Sequence, residues 1–351
     1  MDTKQLLQLK QELSSQVCIA AHHYQNRDII DCADIVGDSY RLAVDAAQRK
    51  EQYIILCGVY FMAESAALFA RDYQKILMPD RSAGCPMADM ITAHQAETYL
   101  RTLQRVCCRK VVPVVYMNTN APLKAVCGKY GGSVCTSSNA SSIMDHYLSE
   151  DSALFFLPDQ HLGANTALKS GLTSRDLQLL PRKEPDDHQI NPDARLYLWD
   201  GYCPVHRKFS VSHIRALRSQ YKDIRILVHP EVPSEIVQEA DGSGSTEAIY
   251  SNILHAESGS IWGVGTESHF VDRVSREAAA QGKRVIPLVT SVCEDMGKTS
   301  TEALMHLLRL VQAGDEQALE AYHVTIDDTT AGDARKALET MITITEARNR
   351  Q

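Results

Sequence analysis

Three stretches decide how this chain folds: KILMPDRSAGC (75–85), RLYLWDGYC (195–203) and KRVIPLVTSVC (283–293). Each is a strand-like apolar run that ends in a short polar loop closed by a cysteine. A helix start is expected after each one. Cys85 and Cys203 precede Pro86 and Pro204, and proline suits the first position of a helix. Cys293 precedes Glu294 and Asp295, and acids suit the first turn. Counting from the first strand of each unit to its cysteine gives 67, 92 and 68 residues, so the three stretches mark the ends of three comparable units.

Working outward, apolar runs rich in β-branched residues alternate with helical periodicity along the whole chain, the signature of parallel βαβ architecture. Strands are predicted over Val17–Ala21, Tyr53–Gly58, Lys75–Met78, Val111–Tyr116, Ser133–Thr136, Ala153–Leu157, Arg195–Trp199, Ile224–Val228, Ser260–Val264 and Arg284–Thr290. The clearest helix carries Leu304, Leu307, Leu308 and Val311 at i, i+3, i+4 and i+7. The expected class is α/β, with three αβα units whose parallel sheets converge on one centre. The expected units are 1–87, completed by C-terminal helices in 294–351, then 88–202 and 203–293. Residues 182–193 (RKEPDDHQINPD) read as an exposed polar excursion lengthening the middle unit.

Other positions recur in phase. The first strand of each unit runs into polar residues: His22-His23-Tyr24, Tyr116-Met117-Asn118 and His229-Pro230-Glu231. Downstream, each unit carries a hydroxyl cluster: Asp38-Ser39, Thr136-Ser137-Ser138 and Ser245-Thr246. Ligands in open parallel sheets bind beyond the carboxyl ends of the strands. Three units converging there would bring Cys85, Cys203 and Cys293 to one point. The serines and threonines are also the residue types that cap helices, a role compatible with holding an anion.

Composition bounds the function. The 351 residues carry 36 Lys+Arg against 44 Asp+Glu, a net charge of −8. That balance disfavours nucleic-acid and acidic-membrane partners, which call for a cationic footprint. No apolar run approaches the ~18–20 residues of a bilayer span, and MDTKQLLQLKQELSSQ (1–16) reads as an amphipathic helix rather than a targeting peptide. A cytoplasmic location is expected. None of the ten cysteines forms a CxxC, so no zinc ribbon or thioredoxin-like site is spelled out. Cys18, Cys32, Cys57, Cys127 and Cys135 read as packing, and Cys107 and Cys108, in an apparent helix before the second unit, as core or surface thiols. Three converging thiolates suit a soft metal. Zinc would normally recruit a fourth ligand, and so would an iron–sulfur cluster, which held by three keeps one iron open as a Lewis acid.

The segments AHHYQ (21–25), DIVGDS (34–39), CGVYFMAES (57–65), ILMPDRSAGC (76–85), VVYMNTNAPLKA (114–125), CTSSNA (135–140), LPDQHLG (157–163), GYCPVHRKF (201–209), LVHPE (227–231), GSTEAI (244–249), GTES (265–268) and VCEDM (292–296) occur in this order. Together they resemble the quinolinate synthases, the A protein of NAD biosynthesis, over about residues 18–345. The resemblance implies three αβα domains in pseudo-threefold arrangement and one 4Fe–4S cluster bound through Cys85, Cys203 and Cys293, with one iron open. It implies condensation of iminoaspartate with dihydroxyacetone phosphate, with loss of phosphate and two waters. It also implies His22, Ser39, Tyr116, Asn118, Ser137, His206, His229 and Thr246 as substrate donors, with Met117 and Ser245 beside them. Glu231 is the expected general base, and Tyr24 and Tyr116 the expected proton-relay partners. A monomer or homodimer is expected. Arg207 stands where an acid is common in the family and His269 where glycine is usual.

Two other readings are to be separated from this one: a different iron–sulfur hydro-lyase acting on a single hydroxy acid, and a non-enzymatic iron–sulfur sensor. The sensor reading expects a DNA-reading or partner-binding element, and no such element is evident. A nicotinamide dehydrogenase is disfavoured because no GxGxxG follows a strand.

Overall fold

The computed structural model describes residues 3–349. Thirteen strands are found among them, in three separate sheets, and every strand pairing within the sheets is parallel. The first sheet holds β1 (Val17–His22), β2 (Ile35–Gly37), β3 (Tyr53–Cys57) and β4 (Lys75–Leu77), in the order β2-β1-β3-β4. The middle sheet holds β5 (Val111–Tyr116), β6 (Ser133–Cys135), β7 (Ala153–Leu157), β8 (Leu177–Leu180) and β9 (Leu196–Trp199), in the order β6-β5-β7-β9-β8. The third holds β10 (Arg225–Val228), β11 (Gly242–Ser243), β12 (Ile261–Gly265) and β13 (Arg284–Pro287), in the order β11-β10-β12-β13. The first and third sheets thus repeat one order, and the middle sheet repeats it with β8 added at the edge.

All ten predicted strands are present. The three that were not predicted are β2, β8 and β11, and each is an edge strand of two to four residues. Such strands are covered on few sides, so they lack the continuous apolar run that identifies a strand buried on both faces. That run is present in β1, β3, β5 and β7, where every residue is buried. Residues 182–193 are exposed except for the half-buried Pro185 and the buried Ile190, and none of them lines the cavity described below.

The predicted 304–311 helix is Thr301–Ala313, and its Leu304, Leu307, Leu308 and Val311 pack with Leu6, Val17 and Ile55 of the first sheet's core. The last helix, Asp328–Asn349, lies instead against the helix Ala121–Lys129 beside the middle sheet. Among the described residues no helix is long and apolar enough to cross a membrane.

Candidate metal centre and active site

Cys85, Cys203 and Cys293 line one cavity, and all three are half-buried free thiols. They are built alike. The carbonyl of each accepts the N–H four residues on: Asp89 at 3.2 Å, Arg207 at 3.0 Å and Gly297 at 3.2 Å. Each cysteine therefore opens one helical turn, and the backbone amides of that turn favour its thiolate: those of Met87 and Ala88 at Cys85, His206 at Cys203, and Asp295 and Met296 at Cys293. The helix starts expected from the sequence are these single turns, Ala88–Met90, His206–Lys208 and Glu294–Gly297, and the long helices begin later, at Ala93, Val211 and Thr301. A single turn has little macrodipole, so here the local amides favour the thiolates.

Carboxylates brace the same loops. Asp159 Oδ2 accepts the Cys203 N–H at 3.1 Å, Glu267 Oε1 accepts the Cys293 N–H at 3.3 Å, and Asp295 Oδ1 accepts the Gly84 N–H at 3.3 Å.

The thiols fit an iron–sulfur cluster. Burial pushes all three up, Cys85 to about 12, so they need an opposing positive charge to give up their protons. One tetrahedral ion held by three thiolates at about 2.3 Å would draw the sulfurs to about 4 Å from one another. Among the described residues, the group of metal-ligating atoms lying within 4.8 Å of one another is Cys203, His206 and Glu231, not the three thiols. An all-sulfur donor set spread wider than one ion requires is suited to an extended iron–sulfur group.

The rest of the cavity wall is mixed: Val59, Phe61, Met87, Val205 and Met296 supply apolar surface, and a set of polar side chains is set into it. His22, Tyr24, Ser39, Tyr116, Asn118, Ser137, His229, Glu231 and Thr246 line it together with the cysteines. Three residues singled out from the sequence lie elsewhere. His206 is behind the wall, with Nδ1 2.6 Å from Glu231 Oε2. That contact is close but off the hydrogen-bond axis, leaving Nδ1 without a directional partner. Met117 points into the core, where the Ser65 hydroxyl donates to its sulfur at 3.4 Å. Ser245 caps the helix Thr246–Leu254 by accepting the Ala248 N–H at 3.2 Å and faces an adjoining recess that also holds Arg41 and Lys169.

Glu231 is buried against two imidazoles. His206 and His229 stack at 4.6 Å between centroids, and His229 Nδ1 is 3.6 Å from the same carboxylate oxygen. Burial alone would raise the Glu231 carboxyl, but His229, His206 and the Tyr116 hydroxyl outweigh it and hold it below the usual carboxylate range. Burial moves the neighbours the other way. It lowers His22 and His229, the latter against the pull of Glu231, and it keeps the Tyr24 and Tyr116 phenols protonated. The Glu231 carboxylate thus sits between two imidazoles and beside proton-bearing phenols.

Thr266 connects these groups. Its hydroxyl is 3.0 Å from the Tyr24 hydroxyl and 3.0 Å from His206 Nε2. A hydrogen-bonded path therefore runs from Tyr24 through Thr266 to His206, whose ring lies beside Glu231.

The hydroxyls expected as possible caps are freed for the cavity by other residues. Asp38, not Ser39, caps Ser39–Gln48 by accepting the Arg41 N–H at 2.9 Å, and Ser245 caps the helix that Thr246 begins. Ser39 and Thr246 thus present hydroxyls from the first positions of two helices. Together with Ser137, they form a wall suited to an anion.

Sequence reasoning missed Thr266, Asp159, Glu267 and Asp295 as site residues. Thr266 and Glu267 lie within GTES, Asp159 within LPDQHLG and Asp295 within VCEDM, so the signal was present as motif letters. Their roles were hidden because each acts on a loop of a different strand.

Comparison with known proteins places the chain in a family. The family model described as Quinolinate synthetase A protein matches residues 4–343. A quinolinate synthase of Streptomyces coelicolor is 39% identical over 341 residues, covering 95% of this chain and 86% of that protein. Those of Halalkalibacterium halodurans (38%, covering 97% and 92%) and Listeria monocytogenes (37%, covering 95% and 91%) are similarly related. With three cysteine turns on one cavity and a family match spanning nearly its whole length, the chain belongs to the Quinolinate synthetase A protein family.

Proposed function

We propose that this chain is a quinolinate synthase that condenses iminoaspartate with dihydroxyacetone phosphate, releasing phosphate and two waters. The observation that carries the reading is the convergence, in one cavity, of a cysteine turn beside each sheet with a buried carboxylate and hydroxyl-bearing helix starts. Cys85, Cys203 and Cys293 would hold a 4Fe–4S cluster, and the residues 1–87, 88–202 and 203–293 would form three pseudo-threefold-related units around it, with the helix Thr301–Ala313 completing the first and the last helix, Asp328–Asn349, packed instead on the middle one. The cluster, when bound, supplies a Lewis-acidic iron with an open coordination position.

The chain's own residues handle anions and protons. Ser39 and Thr246, at two helix starts, and Ser137, in the turn before a third helix, bind the triose phosphate. His22, Asn118 and His229 donate to the carboxylates and carbonyl of the two substrates. Glu231, ionised and buried, takes a proton from the carbon or nitrogen that must lose one. Tyr24, kept protonated by burial, delivers a proton to a leaving hydroxyl and recovers it through Thr266 and His206. Tyr116 holds Glu231 in place and shares its proton. We assign the chain to the cytoplasm, as a monomer or homodimer.

The test is product formation. Anaerobically reconstituted protein should make quinolinate from the two substrates together, and iron-free protein should not. Dehydration of a single hydroxy acid, with no quinolinate from the pair, would favour the hydro-lyase reading instead.

A further inference from the structure

The loops that carry the catalytic groups are each gripped from a neighbouring sheet. The loop after β10 contains Pro230, Glu231 and Val232. Asn165, in the helix Gln160–Lys169 that follows β7 of the middle sheet, donates both carboxamide hydrogens to it: to the Pro230 carbonyl at 2.8 Å and the Val232 carbonyl at 2.8 Å. The two acceptors flank Glu231 on either side. Both are carbonyls, so the amide nitrogen must be the atom facing them. Asn165 is buried, where two unanswered carbonyls would be costly.

The same arrangement recurs at the other two junctions. The helix Tyr60–Ala67 follows β3 of the first sheet, and its Glu64 accepts the N–H of Ala121 at 3.0 Å, at the start of the helix Ala121–Lys129 that follows Tyr116 and Asn118. The helix Ser268–Ala279 follows β12 of the third sheet, and its Arg273 Nη2 lies 2.7 Å from His23 Nδ1, between His22 and Tyr24. In all three cases the gripping residue sits in the helix after the third strand of one sheet. In all three it holds the segment that follows the first strand of another sheet, so the first grips the middle, the middle grips the third and the third grips the first.

We propose that Asn165 is a positioning residue for Glu231: its two hydrogen bonds fix the backbone on both sides of the carboxylate, as one of three inter-sheet clamps closing in a ring. The proposal rests on Glu231 being the base of the proposed function. Losing the clamp should impair turnover without weakening substrate binding, because displacements of about 1 Å at a reacting group cost up to about 100-fold.

The test is a double-mutant cycle on anaerobically reconstituted enzyme, using Asn165→Ala and the isosteric donor-free Asn165→Asp, each alone and with Glu231→Gln. Iron and sulfide content, KM and kcat for quinolinate formation are measured on each. Full iron, a KM within about threefold and a kcat lowered about 10- to 100-fold are expected for the single Asn165 variants. In the Glu231→Gln background the same substitutions should change the residual rate by less than about twofold, since positions acting through one group are not additive. An equal loss of rate in both backgrounds, a change confined to KM, or loss of iron in both Asn165 variants overturns the proposal. Near-normal turnover of Glu231→Gln alone would instead refute Glu231 as the base, a failure recognisable without any Asn165 variant.

Discussion

The hydroxyl of Thr266 lies 3.0 Å from Nε2 of His206 and is equally close to the Tyr24 phenol. One side chain, fully buried just past the end of β12, therefore joins a tyrosine on the first sheet's loop to the histidine beside Glu231. Replacing Thr266 by valine keeps the volume and removes the oxygen. Turnover should fall about 100-fold, the scale for losing a proton-transfer partner, with full iron content and little change in KM. Thr266→Ser should recover most of the rate. Equal rates for wild type and Thr266→Val would remove the relay from the mechanism.

The cysteines separate into two classes. Serine at Cys85, Cys203 or Cys293 should abolish quinolinate formation and lower bound iron and sulfide. Serine at Cys107 or the exposed Cys108 should leave both unchanged, since neither lines the cavity. Iron and sulfide analysis under anaerobic conditions makes the comparison, and full cluster content in Cys203→Ser contradicts the assignment.

These two predictions also show what was legible in advance. The strands β1, β3, β5 and β7 announce themselves as unbroken apolar runs because both faces of their sheets are covered. The cysteines stand out through their repeated setting after a strand. Thr266 could not be identified this way, because its partners come from positions 24 and 206 and only tertiary structure brings them together. Met117 misled for the opposite reason. It sits between two cavity residues in sequence, but its side chain points into the core while Tyr116 and Asn118 face the site. The helix starts after the cysteines were legible, but Pro and acidic residues signal a first turn without saying how many turns follow, and only single turns form there.

Lys124 gives the fold a pH dependence. It is fully buried, with Nζ donating to the Thr119 carbonyl at 2.6 Å and lying over the Phe61 ring, and burial lowers it to about 8 despite Glu64. A lysine with a lowered folded value binds its proton less tightly than the unfolded chain does. Its destabilising effect is fully present below about pH 8 and fades as pH rises towards the ordinary lysine value near 10.4. Lys124→Met should therefore gain stability relative to wild type most at pH 7, and the gain should shrink by pH 10. Melting temperatures of both proteins across this range check it, and a gain independent of pH would be the contrary result.

Gly128 marks a close approach of helices. A Cβ there would stand 1.9 Å from the Asp333 carbonyl oxygen, so the helix Asp328–Asn349 rests directly on the backbone of Ala121–Lys129. Gly128→Ala should lower stability by about 1–3 kcal/mol through overpacking, visible as a reduced melting temperature. An unchanged or raised value would mean the helices part without cost.

The central claim is that three thiols hold a cluster whose remaining iron meets the substrate. Mössbauer spectroscopy of the iron-57-reconstituted enzyme, with and without saturating quinolinate or dihydroxyacetone phosphate, tests it most directly. The expected result is four irons and four sulfides per chain, with ligand altering the signature of one iron and leaving the other three unchanged. One iron per chain, or four that are indifferent to ligand, would contradict it.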